Sequence, residues 1–364
     1  MKKRPRARGW KFTEPAESAR ISMHGTAASY GTGRSLVFAY AVFTAVCAFI
    51  LLISGGLVTS KGVGMTVPDW PNSYGYNMFT FPVSRWVGGI FYEHAHRLIA
   101  SGVGLLTVIL AVLLWFAEPR RWVRVLGYVA VAAVSVQGVL GGLRVVLIKD
   151  EIGIFHGMLA QAYIGLLVVI AIALSKAFAT GGARWRWHAP GLLRWAVTLT
   201  ILVYLQLAVG ATMRHEHAGL AIHDFPLAYG RLWPSVNAEQ LAAINAQRIA
   251  SGEVPTTLVN IHVHMLHRFM ALIIFFGFIA YAWHARRAAM GVRIAARWWV
   301  AMVAAQIGLG AWTVLSDKAA DITTAHVALG ALILFLGVVQ CFLLAAFSPR
   351  AAQLKRETGR LVHA

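Results

Sequence analysis

Four histidines stand at matching places in two halves of this sequence, and paired imidazoles are a common way of holding haem iron. His96 opens the second long apolar run and His267 the sixth, while His156 begins the fourth and His326 the eighth. Ionisable groups are rare at membrane depth, so each is a functional candidate by position alone. Two inward-facing imidazoles on opposite helices of one bundle can approach to the separation of a bis-ligated iron, with Fe–N bonds about 2 Å long. A buried histidine satisfied by a nearby carbonyl is the plain alternative for any one of them. Four in duplicated register favour ligation. His94, His262 and His264 lie within a few residues of these positions and are the fallback ligands.

Arg97 and Arg268 each follow a candidate ligand directly. A guanidinium there could pair with haem propionates, bidentately where geometry allows; the plain alternative is an arginine that snorkels to the interface. Glu93 precedes His96 by three residues, so the two share a helix face. It is the only one of the 14 carboxylates that falls well inside an apolar run, and the matching position in the second half is His264. An acid beside one cofactor only is what two unlike sites would need, one doing chemistry and one carrying electrons. A carboxylate that merely orients His94 or a loop group is the competing reading. A single carboxylate cannot build a di-iron cage, which requires several.

These residues need helices that cross a membrane. The chain has 364 residues, 58% hydrophobic and 13% charged, with mean hydropathy +0.64, a composition that excludes a soluble globule. Eight apolar windows lie near residues 35–59, 87–116, 125–143, 152–175, 195–213, 258–285, 298–315 and 322–347. Each is close to the length of about 20 residues that a membrane helix requires. The net charge of +19 could signal nucleic acid. It is better explained by loop bias, since 23 of the 33 lysines and arginines fall on the side that holds both termini and 8 on the other. Both termini are therefore expected in the cytoplasm. The arm 1–34 has no early apolar core or small-residue cleavage site, and Glu14 and Glu17 weigh against a transit peptide, so a solvated, lipid-attracted tail is expected. Cys47 and Cys341 both sit in apolar runs, which leaves no disulfide framework.

The second half repeats the first. Gly56-Leu57-Val58-Thr59 ends the first run as Gly210-Ala211-Thr212-Met213 ends the fifth. Pro68-Asp69-Trp70-Pro71 with Tyr74-Gly75 is matched by Asp224-Phe225-Pro226 with Tyr229-Gly230. Gln137-Gly138-Val139-Leu140-Gly141 is matched by Gln306-Ile307-Gly308-Leu309-Gly310. The two His pairs and the Gln pair recur at spacings of 171, 170 and 169 residues. The expected fold is all-α and polytopic, with eight transmembrane helices arranged as two pseudo-symmetric four-helix bundles, 35–178 and 193–347, and a cytoplasmic tail 348–364. Gly138, Gly141, Gly142, Gly308 and Gly310 either admit a flat macrocycle or only allow close helix packing. The stretch 237–251 (within it AEQLAAINAQR) reads as a short surface helix without evident chemistry.

In this order the motifs resemble the haem A synthase family over essentially all eight helices. The match is carried by Gly55-Gly56-Leu57-Val58-Thr59, Glu93-x-x-His96-Arg97, Gln137-x-x-Leu140-Gly141-Gly142-Leu143, His267-Arg268, His156 and His326. The resemblance implies oxidation of the C8 methyl of haem O to the formyl of haem A through a hydroxymethyl stage, for terminal cytochrome oxidase. It implies Glu93 as the essential acid, the four histidines as iron ligands, the substrate haem in the first bundle and a haem b in the second. It also implies a bacterial inner membrane, delivery of haem O by haem O synthase, and an unidentified electron donor; nucleic acid has no place, and a homo-oligomer stays open. Some members carry a cysteine pair in an outer loop, which this chain lacks. Two competing classes remain: a non-enzymatic bis-His cytochrome b serving quinone, which gives no reason for Glu93 in one bundle only, and a haem carrier, which needs no second fixed cofactor.

Overall fold

The computed structural model describes residues 32–179, 191–288 and 290–346; the basic arm and tail expected at the two ends lie largely outside them. Eight long helices are apolar enough to cross a membrane. With no water in a bilayer core, helices satisfy their backbone groups internally, which is why unbroken apolar runs of this length become helices. In chain order they are α1 (Thr32–Ser60), α2 (Gly89–Ala117), α3 (Arg121–Val146), α4 (Ile152–Leu174) and α5 (Leu192–His215). The short surface helix is α6 (Ala238–Ala250), and α7 (Leu258–Ala285), α8 (Met290–Leu315) and α9 (Ala320–Ala346) complete the set. α6 starts at a capping box in which Asn237 and Gln240 each bond the other's backbone N–H.

Helix ends depart from the hydropathy windows on the arginine-rich side. α3 starts at Arg121 instead of near 125, and α8 at Met290 instead of near 298. Arg121, Arg124, Arg293 and Arg297 fall in these extra turns, where long stems can lie along apolar surface while the charge stays wet.

Helix α2 packs on α1 and α3, α3 on α4, and α4 back on α1, closing a ring of four. The same ring recurs through α5, α7, α8 and α9, and α1 and α4 meet α5 and α9 along a shared seam. The core runs through both rings and the seam, with Leu110, Leu114, Leu167, Ile170, Leu199, Phe278 and Trp299 fully buried. Several of its polar groups are paired: Trp299 donates to the Ile333 carbonyl at 3.0 Å, Tyr281 donates to Gln340 Oε1 at 2.8 Å, and Thr107 and Tyr163 share a 2.5 Å hydrogen bond. Large apolar side chains such as Leu105, Phe116, Phe276 and Trp298 face outward, as lipid contact requires.

At the end away from the histidines, Glu118 is clamped by Arg120 at 2.6 Å and Arg34 at 3.2 Å, and Arg120 also donates to the Ala173 carbonyl. Burial opposes ionisation of Glu118. The hydrogen bonds and charge of Arg120, with the charge of Arg34, outweigh it and hold the carboxyl below its ordinary range.

Candidate functional site

Each of the four histidines lies against a glycine of the neighbouring helix. A Cβ added to Gly55 would stand 2.9 Å from His96 Cε1, on Gly141 3.3 Å from that of His156, on Gly210 3.1 Å from that of His267, and on Gly310 3.0 Å from that of His326. The rings therefore occupy space that only glycine leaves. This corrects the register read from sequence, which matched Gly56 with Gly210; the equivalent of Gly210 is Gly55. That spacing of 155 residues also relates Asp69 to Asp224 and Tyr74 to Tyr229. The histidines beyond are 171 apart, and the segment containing α6 supplies the difference. Gly142 packs on Trp70, whereas a Cβ on Gly138 or Gly308 would meet open space.

In the second half the His267 and His326 rings lie with centroids 6.4 Å apart and their planes at 61°. Two Fe–N bonds of about 2 Å, plus roughly 1.1 Å from each nitrogen to its ring centre, give about 6.2 Å, so an iron fits between the rings. Second partners orient them. The Gln206 amide nitrogen lies 3.1 Å from His267 Nδ1 and donates to the His267 carbonyl; Gln306 donates to the His326 carbonyl at 2.8 Å. In the first half Ser54 Oγ lies 3.3 Å from His96 Nδ1. Among the described residues the buried Nδ1 atoms of His156, His326 and His264 and the Nε2 of His94 have no hydrogen-bond partner. Unpaired ring nitrogens at such depth are costly unless something binds there. The donor set and the glycine cradles suit a haem in each half, and the ring spacing of His267 and His326 suits one in the second.

Ser54, Gln206 and the cradle glycine Gly210 were not singled out as site residues from sequence. The one available signal was a polar Gln in the otherwise apolar fifth run.

The outer loops are built twice from one plan. Asp69 accepts the N–H groups of Tyr74 and Gly75, both at 2.7 Å, and Asp224 those of Tyr229 at 2.8 Å and Gly230 at 2.9 Å. Tyr74 and Gly75, like Tyr229 and Gly230, have positive φ, which turns both amides toward the carboxylate. Tyr74 donates to the Thr66 carbonyl and Tyr229 to that of Ala221. Burial raises both aspartates, but these amides and the nearby Arg97 or Arg268 charge prevail and hold each below the ordinary carboxylate range.

The two predicted arginines bind these loops. Arg97 donates to the carbonyls of Asp69 (2.6 Å), Asn72 (3.1 Å) and Val67 (2.7 Å) and to Glu93 Oε1 (2.6 Å), which uses all four terminal N–H groups. Arg268 donates to the carbonyls of Asp224 and Leu227 at 2.8 and 2.9 Å. Glu93 is buried, with Oε2 accepting the Val67 N–H at 2.9 Å, so both of its oxygens are held. Of the fallback ligands, His94 lies between Phe81 and Trp86 with Nδ1 3.1 Å from Ser73 Oγ, His262 is exposed, and His264 is buried.

A haem A synthase of Geobacillus kaustophilus is 26% identical over 340 residues, 87% of this chain and 93% of that protein. One of Exiguobacterium sibiricum is 24% identical over 329 residues, 87% and 96% of the two chains. One of Alkalihalophilus pseudofirmus is 28% identical over 204 residues, 54% of this chain and 66% of the relative. The family model described as cytochrome oxidase assembly protein, COX15-CtaA, matches residues 38–338. With most of its length covered by that model, the chain belongs to the COX15-CtaA family.

Proposed function

We infer that this protein makes haem A, oxidising the C8 methyl of haem O to a formyl group, in a bacterial membrane that it crosses with eight helices. The observation that carries the reading is the doubled set of glycine-backed histidine pairs, with an acid beside one pair only. It is supported by the family match and by relatives named haem A synthase over nearly their whole lengths. The first bundle, within 35–178, takes the substrate haem on His96 and His156, and the second, within 193–347, takes a haem b on His267 and His326. Both termini face the cytoplasm, from the loop charges. An electron donor and a supplier of haem O complete the system.

When bound, the haem of the first bundle supplies the redox chemistry at its own periphery. The chain's part is to position and to bias. Ser54, Gln206 and Gln306 orient the ligand rings or their backbone, and a fixed ring orientation raises ligand quality. Glu93 sits one helical turn outward of His96, its carboxylate fixed by Arg97 and by the Val67 amide. A charge held this firmly suits stabilisation of positive charge developing on the substrate carbon more than free shuttling of a proton. Arg97 and Arg268 draw the outer loops down over the pairs, which limits water there. The cytochrome alternative gives the acid of the first bundle only the task of holding Arg97 and the Val67 amide.

The ligand assignment is tested by His267→Ala and His326→Ala. Each should abolish the low-spin bis-His spectrum of the second haem. An intact spectrum in either variant would refute the assignment.

A further inference from the structure

Where the two rings meet, at the end near the loops, Arg144, Arg214 and Lys318 lie close enough to feel one another's charge in turn. Arg214 of α5 reaches across the seam and donates through one nitrogen to the Gly56 carbonyl at 2.6 Å and to Ser60 Oγ at 2.7 Å. Ser60 is also bonded by Thr324 of α9 at 3.2 Å. Only neutral groups bond this guanidinium, and its other N–H groups have no partner among the described residues. Arg144 of α3 pairs with Asp150 at 2.8 Å through one nitrogen, while its Nε is buried and unpartnered. Lys318, between α8 and α9, feels the charge of Arg214. His215 and His217 stand 3.8 and 3.7 Å from the same Asp150. Among the described residues only Arg144 of these three cations pairs with a carboxylate. A cluster of like charges at a helix seam is costly unless anions complete it.

The position of this cluster relative to the histidines bears on which anion completes it. Arg214 follows the cradle glycine Gly210 by four residues, and Arg144 follows Gly141 by three. Each arginine therefore lies about one helical turn, roughly 5 Å, outward from a ligand ring on the face that holds it. The mates of these arginines in the repeat are Thr59 and Thr313, so each half carries one such cation, on a different helix. Arg97, by contrast, has no terminal N–H group left to give.

We propose that Arg144 and Arg214 are the anchors for the haem carboxylates, Arg214 for the haem of the second half and Arg144 for that of the first, with Lys318 completing the seam. This rests on the function proposed above. Burial and the charges of Arg214 and Arg248 push Lys318 below its ordinary value.

The test follows the rate at which the second haem leaves the purified, haem-loaded protein for apomyoglobin. Arg214→Met should speed transfer at least about tenfold, the factor equivalent to about 1.4 kcal/mol, and Arg214→Lys should recover part of the loss. Wild-type protein emptied and refilled with haem whose propionates are methyl esters should release it as fast as Arg214→Met releases ordinary haem. The ester should add little further in that variant. An unchanged rate in Arg214→Met beside an accelerated one in Arg268→Met would overturn the proposal and return the role to Arg268. Equal release of ester and free-acid haem by the wild type would also overturn it, by showing that the seam holds some other anion. Should Arg214→Met fail to fold, the ester comparison and Arg214→Lys decide the matter. Wild-type protein that carries no bis-His haem at all would instead refute the functional reading beneath it.

Discussion

Replacing Gly310 by alanine puts a methyl group 3.0 Å from His326 Cε1 and 3.6 Å from Nδ1. Ordinary contact begins near 3.4 Å, so the ring must retreat by about 0.4 Å from a packed site. Gly308, two residues away on the same helix, offers a built-in control, because its Cβ would meet nothing within 4 Å. Any gain in helix propensity, about 1 kcal/mol per glycine, is common to both substitutions and cancels between them. What remains is the cost of overpacking a ligand, about 1–3 kcal/mol. That corresponds to roughly 5–150-fold weaker retention of the second haem in Gly310→Ala than in Gly308→Ala. The assay is haem per protein after purification, by pyridine haemochrome, with the low-spin spectrum of what remains. Equal loss in the two variants would refute the cradle, since only one methyl group touches a histidine.

Further outcomes follow from the same contacts. Glu93→Gln keeps size and much of the hydrogen bonding but removes the charge, so cells expressing it should keep the second haem yet accumulate haem O or its hydroxylated form; normal haem A would remove Glu93 from the chemistry. Asp69→Asn should loosen the first outer loop and speed its cleavage by a protease at neutral pH, whereas unchanged cleavage would show that the turn holds without the charge. Because Asp69 and Asp224 are held below their unfolded value of about 4, their contribution is present above that pH and is lost as pH falls through the lower folded values. Loop protection should therefore fade in acid, and less so in Asp69→Asn. Single cysteines placed in loops 61–88 and 216–257 should react with an impermeant reagent from outside; labelling from the cytoplasm would invert the proposed orientation.

Much of this architecture is legible in the sequence because lipid imposes a simple rule on the backbone, so hydropathy alone finds eight helices. It misplaces their arginine-rich ends, since a snorkelling side chain extends a helix beyond its apolar window, as at Met290. The histidines stand out by rarity and repetition. Their cradles are harder to see: a glycine against an imidazole has no periodic signature, and choosing Gly56 over Gly55 moves the contact round the helix by about 100°. The arginines illustrate another limit. Arg97 beside a ligand histidine suggests a bound carboxylate, but its partners are mainly carbonyls of its own loop, and backbone acceptors leave no mark on side-chain sequence.

We propose that this chain converts haem O to haem A at the first histidine pair, with Glu93 as the acid. It is tested most directly by extracting and weighing the haems of cells that supply haem O and express either the wild-type chain or Glu93→Gln. The wild type should yield haem A, with hydroxylated haem as the intermediate, alongside haem b retained by the purified protein. Glu93→Gln should yield haem O or hydroxylated haem with haem b undiminished. Wild-type cells that hold haem b and unaltered haem O, with no haem A, would contradict the account and leave a bis-His cytochrome in its place.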